Sequence, residues 1–256
     1  MDARLMQPGK VDKQRAYILH AQPYRETSLL LDVLTAAYGR VALVARGARR
    51  PRAELRGLLM PFQPLRLSWF GKNEVKTVHG ADWVGGVRML EGQALVCGFY
   101  LNELTVRLVL RDEPSDALFA AYDEAVRALA SPGASHAAAL RRYEIKLLQA
   151  QGYAPALCSD AAGEPLDAAA LYRVHADASP ERWLGGTVPG EHAVVRGSTL
   201  LALAGGELAD AHSRREARQV TRLMLANILG DAHLASRALL PDPSLVAPEP
   251  LPAPPL

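Results

Sequence analysis

The sequence predicts an α+β multidomain chain. A five-stranded β-barrel is expected at residues 1–82, an α-helical domain at 83–240, and a proline-rich tail at 241–256. Three observations carry this expectation. Five short apolar segments bounded by turn residues fill the first eighty positions. The apolar spacing then turns helical after Trp83-Val84-Gly85-Gly86. Charge divides along the same line: residues 1–80 hold 14 Lys/Arg against 6 Asp/Glu, and the remainder holds 15 against 21. A basic module joined to a mildly acidic one implies that the first meets a polyanion.

The strands come first. Arg15–Ala21, Ser28–Thr35 and Arg40–Arg46 are short and apolar, separated by Pro23 and by Tyr38-Gly39. In the third, Val41, Leu43 and Ala45 alternate with Arg40, Ala42, Val44 and Arg46, the period of a half-buried strand. Phe62–Trp69 and Glu74–His79 follow, joined by the turn Phe70-Gly71-Lys72-Asn73. Five strands in about eighty residues fit an OB-fold barrel, although the count alone also admits an SH3-like one.

The helices come next. Glu91–Leu110 sets Leu95, Phe99 (or Tyr100), Leu104 and Leu108 at helical spacing. Pro114-Ser115-Asp116 opens a second helix to about Ala130, and Ser131-Pro132-Gly133 stops it. Ser135 caps a third helix that ends near Gln151-Gly152. Residues 153–205 read as an irregular insertion with short strands such as Tyr172–His175 and Ala193–Arg196. Helix resumes from about Asp210 to Leu229. Residues 241–256 contain seven prolines and no Lys or Arg, the composition of a disordered tail.

Several function classes find no support. There is no G-x-G-x-x-G, G-x-x-x-x-G-K-[ST] or G-x-S-x-G motif. The run Gly185-Gly186-Thr187-Val188-Pro189-Gly190 lacks the lysine and helix of a phosphate loop, so it reads as a plain loop. The seven histidines are scattered. Cys97 and Cys158 are too few for a zinc knuckle or a disulfide framework, and Cys97 in an apolar helix reads as a small buried hydrophobe. No apolar run spans a membrane, and the first residues are polar, so a cytoplasmic protein without cofactor or metal is expected. Catalysis is not expected.

The sharpest feature lies between the third and fourth strands. Arg46, Arg49, Arg50, Arg52 and Arg56 fall within eleven residues, and Gly47, Pro51 and Gly57 keep the backbone in a loop. Clustered like charges repel one another, and phosphates relieve that repulsion with release of counterions. Arg40 and Arg66 on strands, with Lys72 and Lys76 on the following hairpin, extend the candidate surface. Tyr17, Phe62 and Trp69 alternate with polar residues and are expected inside the barrel. Tyr24 and Tyr38 lie in turns and are the candidates for base stacking. On the last helix Arg214, Arg215, Arg218 and Arg222 occupy one arc of about 100°. They form a solvated face, a second DNA surface or a seat for an acidic partner.

Several strings, in order, resemble the RecO family of recombination mediators. They include Gln14–His20, Tyr24-Arg25-Glu26-Thr27-Ser28-Leu29, Tyr38-Gly39-Arg40-Val41, Ala45–Arg49, Leu59-Met60-Pro61-Phe62 and Gly71–Thr77. In the helical part, Tyr100-Leu101-Asn102-Glu103-Leu104, Ala139–Glu144 and Gly152-Tyr153 continue the likeness, which covers roughly residues 14–240. The resemblance implies an N-terminal OB-fold, a helical C-terminal domain, and binding and annealing of single- and double-stranded DNA in repair and recombination. It also implies two protein partners, RecR and the acidic C-terminal tail of the single-strand-binding protein, with the RecA recombinase as the indirect beneficiary. It places the protein in the cytoplasm, at the nucleoid. Carry-over to DNA contact is firmest for Arg46, Arg49, Arg50 and Arg52. Many relatives hold zinc on four cysteines in the insertion; here only Cys158 stands in that region, so a zinc-less insertion is expected.

An acidic tail ending in an apolar residue needs a hydrophobic pocket rimmed by arginine. Arg141 beside Ile145 and Leu148, completed by Phe99 and Leu104, is the candidate, with core packing the alternative role for those apolar residues. Charge and barrel alone also permit an OB-fold RNA-binding module of translation or RNA metabolism.

Overall fold

A computed structural model describes residues 9–155, 157–186, 190–205, 207–230 and 234–236. The proline-rich tail at 241–256 and positions 187–189 of the glycine loop lie outside the described residues. The chain divides into two compact units, Met1–Glu91 with Leu101–Pro132, and Gly92–Tyr100 with Gly133–Leu256.

In the first unit, β1 (Lys10–Tyr24), β2 (Ser28–Thr35), β3 (Gly39–Ala45), β4 (Leu65–Phe70) and β5 (Val75–Trp83) form a closed barrel in the order β1-β2-β3-β5-β4. The β3–β5 pair is parallel, with Ala42 opposite Val75, and every other pair is antiparallel. This is the OB-fold arrangement, and it decides against the SH3-like alternative. Period two places Leu31 and Val33, Val41 and Leu43, and Leu65, Leu67 and Trp69 in one buried cluster. The outward residue Tyr17 of β1 is buried as well, because α2 (Asp116–Ala130) packs on it. Tyr17 packs 5.1 Å from Tyr122 and 5.9 Å from Phe119, and its hydroxyl donates to Asp123 at 2.6 Å. Burial pushes the Asp123 carboxyl upward in pKa, but hydrogen bonds from Arg127 and Tyr17 outweigh it and hold the group below its ordinary value. Helix and barrel are therefore one cooperative body. The sequence expectation ends the barrel domain at residue 82, whereas contacts join Leu101–Pro132 to the barrel.

Gly39 opens β3 with φ 65°, and a Cβ there would run into the backbone carbonyl of Glu113. Left-handed backbone and close approach both require glycine at this point. Gly39→Ala is expected to destabilise the first unit by at least about 2 kcal/mol, read by chemical denaturation. A change under half of that would mean the turn and the Glu113 loop part freely.

The second unit holds α3 (His136–Ala150), a small sheet of β6 (Leu171–Val174), β7 (Glu181–Arg182) and β8 (Ala193–Arg196), then α4 (Gly197–Ala204) and α5 (Ala211–Leu229). Ser135 caps α3 and Asp210 caps α5, each side chain accepting from a backbone N–H in the first turn of its helix. The helix α1 (Gly92–Leu108) begins in this unit. Its Tyr100 is 1 % exposed while Phe99 is 42 % exposed, so the apolar stripe runs through Tyr100. Cys97 is fully buried, and that burial pushes its thiol up to about 11, the environment of an inert hydrophobe. The insertion is more regular than its composition implies. In place of the irregular chain expected at Ser198–Ala204, α4 forms there because Leu200 and Leu203 are buried against the unit's core. Among the described residues no helix is long and apolar enough to cross a membrane.

Candidate nucleic-acid interface

The loop that follows β3 is anchored by its small and apolar residues. Ala48 and Leu59 belong to the barrel core, Leu55 packs against it, and one 3-10 turn forms at Glu54–Gly57. The backbone N–H of Arg49 donates to the Thr27 carbonyl at 2.9 Å, which ties the loop to the β1–β2 turn. With the backbone held this way, Arg46, Arg49, Arg50, Arg52 and Arg56 are all exposed. Among the described residues none of the five pairs with a carboxylate. Arg52 holds φ 68°, a conformation costing a non-glycine residue about 1–2 kcal/mol. Fold stability alone would favour glycine there.

The β1–β2 turn adds to this surface. Tyr24 is 38 % exposed, and the Arg25 guanidinium lies 5.3 Å from its ring centre. The Arg49 side chain donates to the Glu26 carbonyl at 3.2 Å, so Tyr24, Arg25 and Arg49 share one end of the barrel. In OB-folds this connection and the strand 2–3 face form the usual nucleic-acid groove. Arg25 is absent from the sequence-based candidates; its adjacency to Tyr24 in the turn was the available signal.

Other candidates fall elsewhere. Arg40 forms a two-pronged pair with Asp32 at 2.7 and 2.9 Å and donates to the Val106 and Val109 carbonyls, both at 2.6 Å. Four of its five N–H donors are taken inside the fold, so Arg40 serves the structure and is withdrawn from the candidate surface. Lys76 pairs with Asp112 at 2.9 Å with its side chain only 18 % exposed, and it too is withdrawn from the candidate surface. Tyr38 is half-buried, edge-on to Trp69 at 5.4 Å, and serves the core instead of stacking on bases. Arg66 stands exposed on β4 opposite Asp82, and Lys72 is exposed in the β4–β5 hairpin. Trp69 points into the barrel as expected, whereas Tyr17, expected inside it, faces outward against Phe119 and Tyr122 of α2; Phe62 is buried, 2 % exposed.

The residues expected to line a pocket for an acidic tail are buried, apart from Phe99. Ile145, Leu148 and Leu104 are each 0 % exposed, so they are core. Arg141 does have an anion, but it is Glu144 at 2.7 Å, and that carboxylate also accepts from the Tyr100 hydroxyl at 2.7 Å. Phe99 alone of the set reaches the surface. On α5, Arg214 donates to the Leu208 and Ala209 carbonyls at 3.1 and 2.6 Å and so stabilises its own loop. Arg215 and Arg222 are exposed, and Arg218 is half-buried.

Comparison with known proteins adds an independent finding. The family model for the N-terminal part of recombination protein O matches residues 6–87, and that for its C-terminal part matches residues 89–238. The DNA repair protein RecO of Chromobacterium violaceum is 54% identical over 245 residues, covering 92% of this chain and 97% of the relative. The protein of the same name from Laribacter hongkongensis is 49% identical over 246 residues, covering 92% and 96%. That of Nitrosospira multiformis is 44% identical over 238 residues, covering 91% and 98%.

Proposed function

Because this chain belongs to the recombination protein O family, we propose that it acts in DNA repair and recombination as a mediator that binds and anneals DNA strands without catalysis. The observation that carries the reading is the loop of five exposed arginines, none neutralised by a carboxylate among the described residues. Two complementary strands repel through their phosphates. Arginines that replace the counterion atmosphere remove that repulsion and leave base pairing to do the rest. Single strands would use both the loop and Tyr24; duplexes, whose bases are stacked, would use the loop alone.

The helical unit is the part proposed to meet proteins: RecR, and the acidic C-terminal tail of the single-strand-binding protein that coats the substrate. Through them the chain would help the RecA recombinase onto the strand. Exposed Arg215 and Arg222 on α5 supply cations suited to an acidic tail. The setting for such work is the cytoplasm, at the nucleoid.

The test is annealing of complementary DNA strands without nucleotide, on naked strands and on strands coated with the cognate single-strand-binding protein. Acceleration on both is expected. Acceleration on naked strands alone would remove the protein-partner half of the proposal, and none on either would remove the whole.

A further inference from the structure

Between the arginine loop and the end of β5 lies a cleft of about 410 Å³. Its walls carry Arg46 and Glu54 from the loop and His79 and Asp82 from β5, with Leu55 and Leu58 as the apolar lining. The volume exceeds what one nucleobase fills. The wall chemistry is not what a phosphate track requires: carboxylates repel phosphates, and Glu54 and Asp82 stand in the most basic part of the molecule. Asp82 has only an exposed pairing with Lys13 at 3.5 Å, and Glu54 has no ion pair among the described residues.

We propose that this cleft is a nucleobase subsite that favours bases carrying an exocyclic amino group, cytosine above thymine. This deepens the DNA-binding reading and rests on it. An ionised carboxylate only accepts hydrogen bonds, so its partner must donate. Cytosine N4 donates two and adenine N6 two, whereas thymine offers only its N3–H in a ring flanked by two acceptor oxygens that a carboxylate repels. Arg46 on the same walls donates, and suits either the O2 and N3 acceptors of cytosine or the phosphate of the same nucleotide. Outside the cleft, exposed Phe70 lies 6.1 Å from His79, so an aromatic step is in place for the neighbouring base.

The probes are oligo-dC and oligo-dT of equal length, which avoid the self-stacking of dA and the four-stranded structures of dG. Binding is followed by fluorescence anisotropy for the wild type, for Glu54→Gln/Asp82→Asn, and for a variant lacking Arg49, Arg50 and Arg52. The wild type should bind oligo-dC about five-fold more tightly, since one good base-edge contact discriminates at least that well. The Glu54→Gln/Asp82→Asn variant should bring the ratio near one, chiefly by binding oligo-dT better once the repulsion is gone. A wild-type ratio of one, or a ratio that survives the double substitution, would overturn the subsite. If that happens while loss of the three arginines still weakens both oligomers, the arginine loop stands and only the base subsite falls.

Discussion

Replacing Arg49, Arg50 and Arg52 together by glutamine lowers affinity for single-stranded DNA on the order of a hundredfold at moderate salt. The figure follows from about 1 kcal/mol for each charge-assisted hydrogen bond to phosphate removed, with about 1.4 kcal/mol per tenfold change in affinity. These three side chains are exposed, and among the described residues only Arg49 makes a contact of its own, a 3.2 Å bond to the Glu26 carbonyl. The loop backbone is held by Ala48, Leu55 and Leu59 and by the Arg49 N–H to Thr27, none of which the substitutions touch. Folding stability should therefore stay level or rise slightly as like charges are removed. Equilibrium binding and thermal melting on the same preparation check both halves. A loss under threefold with normal melting would move the DNA contact off this loop.

Replacing Arg141 by alanine has the opposite signature: DNA binding by the barrel persists, and the helical unit loses about 3–5 kcal/mol of stability. The reason is Glu144, which is 1 % exposed and would be left charged in the core with, among the described residues, only the Tyr100 hydroxyl donating to it. For a chain of this size such a loss lowers Tm on the order of 10 °C. The double variant Arg141→Met/Glu144→Gln should recover most of it, because the charge goes, the volume stays, and glutamine still accepts from Tyr100. Calorimetry of the three proteins decides. A single variant that melts like the wild type would show that the pair is solvated, and would reopen Arg141 to an external anion.

The contrast between those two arginine sites explains what was legible in the sequence. Period-two apolarity exposed the barrel strands, since Val41, Leu43 and Ala45 need only their immediate neighbours to be read. The arginine loop was legible for the same local reason: five cations in eleven residues face a single acid, Glu54, within the segment. The fate of an isolated cation is a tertiary fact. Nothing local marks Arg40 as engaged, because it takes Asp32 across the β2–β3 hairpin and carbonyls 66 and 69 positions away. Lys76 meets Asp112 at a separation of 36. On α3, helical spacing correctly grouped Arg141, Ile145 and Leu148. Spacing alone cannot say that every side of that helix is covered, and α3 packs against both α4 and α5. The helix α4 escaped notice because eight residues opened by glycine carry too little periodicity. The cleft beside β5 could not be read at all, since Glu54 and Asp82 are 28 positions apart and only closure of the barrel brings them to one wall.

In the proposed function DNA is held by phosphate contacts from the arginine loop. The most direct measurement is the slope of log affinity against log salt for single-stranded DNA, taken for the wild type and for the Arg49, Arg50 and Arg52 variant. Each phosphate contact on a single strand contributes about −0.7 to that slope, so removing three should flatten it by about 2. A slope that stays unchanged would place the phosphates elsewhere on the protein.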